Sequence, residues 1–144
     1  MKLLVINGPN MNMLGIRERK LYGESSYASL CESILKWAEE YGALADLFQS
    51  NHEGDIVDRI QQAYGVYDGI VINPAAYTHT SVAIPDALKA VGIPAVEVHL
   101  TDINSREPFR VVSYTAAACE KRFIGLGFEG YRRAIEYLCE KEKQ

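Results

Sequence analysis

Five short apolar runs alternate with five amphipathic stretches along this chain, and that alternation constrains its fold more than any other feature. The runs cover residues 3–6, 43–48, 69–72, 95–98 and 123–126. Val5-Ile6, Ile70-Val71-Ile72 and Val96 make them rich in β-branched side chains, the pattern of parallel strands buried on both faces. The first amphipathic stretch, 26–41, can gather Tyr27, Leu30, Ile34, Leu35, Trp37, Ala38 and Tyr41 on one broad helical face. Ser25 or Ser26 can cap it and Gly42 can end it. A second helix is expected over 54–64, with Ile56, Ile60 and Ala63 inward and Gly65 at its end. A third starts at Thr80 or Ser81, tolerates Pro85 near its first turn and stops at Gly92. A short fourth lies between Arg106 and Ser113. The fifth fills 129–142 with Tyr131, Ala134, Ile135 and Leu138 inward.

Strict β-α alternation predicts an α/β fold: a doubly wound, five-stranded parallel sheet with helices on both faces. The economical strand order is 2-1-3-4-5, as in flavodoxin-like sheets. With 144 residues, the expectation is one domain, 1–144, large enough for a real core. In such sheets ligands sit beyond the carboxyl ends of the strands, where strand 1 meets strand 3. Asn7 and Asn10 follow strand 1, Asn73 and Pro74 follow strand 3, and His99 follows strand 4. These polar residues therefore converge on one edge.

Composition narrows the partners. A net charge of -4 provides no basic face for nucleic acid, so anion binding has to come from local arginines. Three cysteines (Cys31, Cys119 and Cys139), with no C-x-x-C spacing, read as reduced thiols of a cytosolic protein. No apolar run approaches the ~20 residues that span a bilayer. Residues 3–6 are too short for a signal segment.

Several residues are of types that carry chemistry. A free tyrosine ionises near pH ~10, and a guanidinium within reach favours the anion. Arg17 and Tyr22, close together in a glycine-punctuated loop, are thus either a base with its activator or an ordinary exposed loop. Glu97 and His99 are two apart on a strand and point to the same side. The carboxylate either orients an acid there, or the histidine is satisfied by backbone. In the turn 73–81, free N–H groups and Asn73 could hold a carboxylate or oxyanion, while Thr80 or Ser81 caps the following helix. His79 either donates to a substrate hydroxyl or caps the loop. Arg106 and Arg110 would share a helical face and grip an anion, or remain solvated beside Glu107.

Two patterns mislead. Gly125-Leu126-Gly127-Phe128-Glu129-Gly130 is a literal G-x-G-x-x-G, but it lies on the last strand, with no later strand to bring an acidic residue to a ribose. It reads as tight packing into the last helix. His79, His99 and Glu97 lack any metal-binding spacing, and His52 reads as a surface residue.

Four blocks carry a family resemblance over essentially the whole chain. They are 6–17 (INGPNMNMLGIR) with Tyr22-Gly23, 72–81 (INPAAYTHTS), 97–110 (EVHLTDINSREPFR) and 125–131 (GLGFEGY). In these the chain closely resembles the type II 3-dehydroquinate dehydratases. The resemblance implies a lyase that dehydrates 3-dehydroquinate to 3-dehydroshikimate by anti elimination through an enolate, in the shikimate or quinate pathway. It implies neither metal nor organic cofactor and a dodecamer built as a tetramer of trimers, while the cysteine pattern gives the expectation of a cytoplasmic location.

Carried onto this sequence, the resemblance makes Tyr22 the base and Arg17 the residue that lowers its pKa on a closing lid. Asn10 positions the ring and a water, and His99 protonates the leaving hydroxyl with Glu97 as its orienter. Asn73, His79 and Arg110 hold hydroxyls. Leu100 and Thr101 take the carboxylate, Arg106 supports the pocket or the closed lid, and Asp86 reaches a neighbouring subunit's site. The chain departs from the family habit at Ala75 (often Gly), Thr101-Asp102 (often Ser-Asn), Arg19 (often Pro) and Pro85 (often Arg). Two rival readings are a flavodoxin-like nucleotide- or flavin-binding protein and a binding module without activity.

Overall fold

A computed structural model describes residues 1–16, 18, 20 and 25–144. Its strands are β1 (Lys2–Asn7), β2 (Leu44–Gln49), β3 (Gly69–Asn73), β4 (Ala95–His99) and β5 (Lys121–Ile124). Its longer helices are α1 (Tyr27–Glu40), α2 (Glu53–Gln62), α3 (Ala83–Val91) and α4 (Glu129–Glu142). The strands form one parallel sheet in the order β2-β1-β3-β4-β5, as the alternation predicts.

The period-2 geometry of the strands divides the core into two layers. Leu3, Val5, Val71, Val96 and Val98 pack against Leu30 and Ile34 of α1 and against Tyr131, Ile135 and Leu138 of α4. Leu4, Ile6, Ile70 and Ile72 face the other way, against Ile56 and Ile60 of α2 and Ile84 and Leu88 of α3. The central strands β3 and β4 are buried at every position, which is why they read as continuous apolar runs rather than alternating ones. The edge strands β2 and β5 are partly exposed.

The helix ends follow the local chemistry. Ser26 Oγ accepts from the Ser29 N–H at the start of α1. Ser81 Oγ accepts from the Ile84 N–H at the start of α3, and Gly92, with φ +66°, ends that helix.

Two expectations differ. No α-helix forms over 106–113. The segment instead makes a short 3-10 turn at Pro108–Arg110, flanked by others at Ile103–Ser105 and Thr115–Ala118. Pro108 is the reason: it disfavours helical backbone in the preceding residue, and Glu107 is extended at φ −61°, ψ 145°. Arg106 is extended as well, so Arg106 and Arg110 do not share a helical face. The second difference is that β5 lies two residues earlier than the apolar run 123–126. Gly125 has φ +74° and turns its N–H back onto the carbonyls of His99 and Thr101. Gly125 thus packs on the segment after β4, where a Cβ would lie 3.2 Å from Asp102 Cβ, and the tight packing of the last helix falls on Gly130, where a Cβ would lie 3.1 Å from Val98 Cγ1.

Candidate active site

Three segments leaving the carboxyl ends of β1, β3 and β4 enclose a cleft of about 130 Å³. The first contributes Pro9, Asn10 and Met11, and the second contributes Asn73, Ala75, Ala76 and His79. The third contributes His99, Leu100, Thr101, Ile103, Arg106 and Arg110. Asn7 and Asn73 pair in register across β1 and β3, so the cleft opens at the switch point of the sheet.

Gly8 lets the first two segments meet. Its N–H donates to the Asn73 carbonyl at 2.8 Å, and a Cβ there would lie 2.5 Å from the Pro74 oxygen. The next turn holds Asn10 in the left-handed region at φ 68°. Its N–H donates to Asn51 Oδ1 at 3.0 Å, and Gln49 Nε2 donates to the Gly8 carbonyl. Ala75 is also left-handed, at φ 52°, an arrangement that costs roughly 1–2 kcal/mol for a residue with a Cβ. That cost is a physical reason for the glycine expected at this position from the resemblance.

A buried polar chain lies under the cleft. Tyr131 Oη donates to Asn7 Oδ1 at 2.5 Å and accepts from Asn73 Nδ2 at 2.9 Å. The Ala75 N–H donates to Asn73 Oδ1 at 3.1 Å. Burial pushes the Tyr131 phenol far above its ordinary value, so it remains a neutral donor. The Tyr27 phenol, which accepts from Asn7 Nδ2, is pushed up to about 12, chiefly by burial.

Glu97 and His99 meet as their spacing predicts, with His99 Nε2 2.7 Å from Glu97 Oε1. Glu97 is fully buried. Burial alone would raise its carboxyl, but hydrogen bonds from His99, Thr78 and Ser113 outweigh this and hold it below the usual value. Ser113 Oγ donates at 2.7 Å, and the Thr78 hydroxyl lies against the same Oε1. An ionised carboxylate only accepts, so His99 Nε2 carries the hydrogen of that bond. The Cys119 thiol behind Glu97 is pushed up to about 12 by burial and by the negative carboxylate.

His79 Nδ1 lies 2.7 Å from the Val112 carbonyl and therefore donates to it. Burial holds its pKa below the usual histidine value, against the pull of the Val112 carbonyl, and His99 and Arg110 lower it further. The neutral ring then presents Nε2 as an acceptor for a hydroxyl hydrogen, opposite in polarity to a donor. Arg106 and Arg110 both approach Glu107, with Nε–Oε2 distances of 3.8 and 2.7 Å. Their side chains are mostly buried, at 12% and 22% exposure, so the cleft's positive charge is poorly screened. Arg106 also lies 4.0 Å from Glu18.

Of the residues singled out in the sequence, Asn10, Asn73, His79, His99, Leu100, Thr101, Arg106 and Arg110 line the cleft together. Glu97 stands behind His99. Asp86 is exposed in the first turn of α3 and is not among the residues lining the cleft. Arg17, Arg19 and Tyr22 lie outside the described residues. Among the described residues, no three His, Cys, Asp or Glu side chains gather as they would around a metal ion.

Sequence reasoning did not single out Thr78, Ser113 or Tyr131 for the site. Thr78 had a weak signal, being next to His79 in a turn at the sheet's carboxyl edge. Ser113 is 16 residues from Glu97, and Tyr131 is 124 from Asn7, separations that no local pattern encodes.

An α/β sheet with a buried histidine–carboxylate pair and two arginines at its switch point defines a small-anion site. Residues 1–139 match the model of the class II dehydroquinases, and the chain belongs to that family. It is 54% identical to the 3-dehydroquinate dehydratase of Lachnospira eligens over 138 residues, which cover 94% of each chain. It is 51% identical to that of Clostridium acetobutylicum, with 96% of each covered. Its fold superposes on the crystal structure of a type II dehydroquinase from Butyrivibrio crossotus with a TM-score of 0.94 and 49% identity, covering 96% of this chain and 97% of that one.

Proposed function

We propose that this chain dehydrates 3-dehydroquinate to 3-dehydroshikimate by anti elimination through an enolate, in the shikimate or quinate pathway. The observation that carries the reading is the buried Glu97–His99 pair, at 2.7 Å, opening into a cleft that also holds Arg106 and Arg110. A carboxylated, hydroxylated ring matches that lining: cations for its charge and polar side chains for its hydroxyls.

In this reading Tyr22 takes the proton from C2, with Arg17 favouring its phenolate. The electrons of the broken C–H bond move onto the C3 oxygen, giving an enolate that a water held by Asn10 stabilises. When the enolate collapses, the C1–C2 double bond forms and the C1–O bond breaks. The leaving hydroxyl takes a proton from the His99 imidazolium and departs as water. Asn73, His79 and Arg110 hold the ring hydroxyls, and Leu100 and Thr101 take the carboxylate. Arg106 supports the lid through its approach to Glu18.

The same reading places the enzyme in the cytoplasm, as a dodecamer in which Asp86 reaches a neighbouring subunit's site. The exposure of Asp86 leaves it free for such a contact. No helix among the described residues is long and apolar enough to cross a membrane. Sedimentation of the purified protein tests the assembly.

The test of activity adds 3-dehydroquinate to EDTA-treated protein and follows the ultraviolet absorbance of the conjugated enone product. Wild type is expected to raise it, while Tyr22→Phe and His99→Ala lose nearly all turnover. A folded, oligomeric wild type that produces no rise would leave a binding module without activity.

A further inference from the structure

The carboxylate of Glu97 is loaded unevenly. Oε1 receives Thr78, Ser113 and His99, while Oε2 is buried with no hydrogen-bond partner among the described residues. The two hydroxyls come from separate parts of the fold, the turn after β3 and the segment beyond Arg110. Ser113 Oγ accepts from the Ala116 N–H at 3.1 Å and lies 2.7 Å from both Glu97 Oε1 and Thr78 Oγ1, so the two hydroxyls and the carboxylate oxygen form one cluster. A carboxylate's terminal torsion is soft and roughly two-fold, so an evenly solvated one exchanges its oxygens freely. Here an intermediate rotation would leave Thr78, Ser113 and His99 without their acceptor, so the carboxylate plane is held.

We infer that Thr78 and Ser113 are positioning residues whose hydroxyls hold Oε1 of Glu97 against Nε2 of His99, so that the ligand-free neutral ring keeps its hydrogen at Nε2 and the imidazolium formed for the reaction gives its proton to the substrate from Nδ1. This rests on the reading of His99 as the acid and adds which nitrogen acts and what selects it. Neutral imidazole has two tautomers, and only a partner that accepts at one nitrogen chooses between them. Among the described residues, the other charged or titratable groups around the pair are His79 from the turn after β3, Arg106 and Arg110 from the segment after β4, and Cys119. In the described contacts, the hydrogen bonds to Glu97 Oε1 from side chains other than His99 come from Thr78 and Ser113.

Two readouts on the full chain test this. Long-range 15N spectra of ligand-free protein, assigned with His99→Gln, are expected to show His99 as Nε2–H. That population is expected to fall in Ser113→Ala. With 3-dehydroquinate, kcat should drop roughly tenfold in Ser113→Ala, with KM held within about twofold, because only the proton transfer is misaligned. Ser113→Thr, which restores the hydroxyl, should recover most of it, and adding Thr78→Val should deepen the loss.

An Nδ1–H ring in wild type overturns the inference whatever the activity. So does a Ser113→Ala protein with unchanged kcat, or one that loses melting temperature and KM while its tautomer stays the same. If wild type does not turn over 3-dehydroquinate but the ring is Nε2–H and loses that form in Ser113→Ala, the positioning stands and the substrate assignment fails.

Discussion

The two ends of the sheet use similar groups to opposite effect. Toward the amino ends, Tyr67 donates to Asp46 at 2.6 Å, Arg59 donates to Tyr67 at 2.9 Å, and Lys2 lies 3.7 Å from Asp46. At the carboxyl ends, Glu97 receives Thr78, Ser113 and His99. Both carboxyls are held below their usual values, Asp46 chiefly by the Tyr67 hydrogen bond and Glu97 by donors that overcome its burial. The difference is water. The Lys2 and Asp46 side chains are 43% and 51% exposed, whereas Glu97 is at 0%. An exposed cluster can replace a lost partner with solvent, and a dry one cannot. The fold therefore keeps its fixed geometry where chemistry needs it and leaves the other end tolerant.

Removing each carboxylate should break the comparison most sharply. Glu97→Ala leaves Thr78, His99 and the partly buried Ser113 without their acceptor and is expected to cost about 3 kcal/mol of stability, the scale for leaving buried donors unsatisfied. It should also lower kcat by roughly a hundredfold or more, by freeing His99 from its orienter. Thermal or urea unfolding checks the first effect and steady-state kinetics the second. A stability loss no larger than that of the matching Asp46→Ala protein would erase the distinction between the ends.

Acid sharpens the same contrast. The folded Glu97 carboxyl lies below its ordinary value of 4.5, so on acidification the unfolded chain takes up the proton first. Its contribution to stability is fully present above about pH 4.5 and is lost as pH falls through the lower folded value. Urea midpoints for wild type and Glu97→Gln should therefore differ by a constant amount from pH 7 to pH 5 and converge below that. A gap that widens with acid would mean that the folded carboxyl takes up its proton before the unfolded one does.

How much of this was legible in the sequence follows the same division. The sheet order and both core layers could be read because Leu3, Leu4, Val5 and Ile6 encode face by position alone, and the two faces need only apolar bulk. His99 and Glu97 were legible because they are two apart on one strand. The helix expected over 106–113 was not there, because spacing placed Arg106 and Arg110 together while Pro108 set the backbone between them. Thr78, Ser113 and Tyr131 could not be found, since each acts across a gap that only the folded chain closes.

Backbone strain provides a smaller test at the carboxyl end. Ala75 pays for its left-handed turn, and its N–H holds Asn73 in place. Ala75→Gly relieves the turn but adds freedom to the unfolded chain, so the net gain should be roughly 0.5–1 kcal/mol. A higher melting temperature with the cleft's ligand affinity retained is the expected result. A loss of stability would mean that the Ala75 methyl contributes more through packing than its backbone loses.

The smallest effect belongs to the amino end. Asp46→Asn keeps the shape of the side chain and an oxygen that can still accept from Tyr67, while removing the charge that faces Lys2 and Arg59. Because water reaches that pair, the change should cost only a few tenths of a kcal/mol, and less again in high salt. The activity should be untouched, since none of Lys2, Asp46, Arg59 or Tyr67 lines the cleft. Unfolding curves at low and high ionic strength measure it directly. A cost near that of Glu97→Ala, or one that salt leaves unchanged, would show that the amino end is as dry in effect as the carboxyl end. Exposure would then be the wrong explanation for why one cluster is fixed and the other is not.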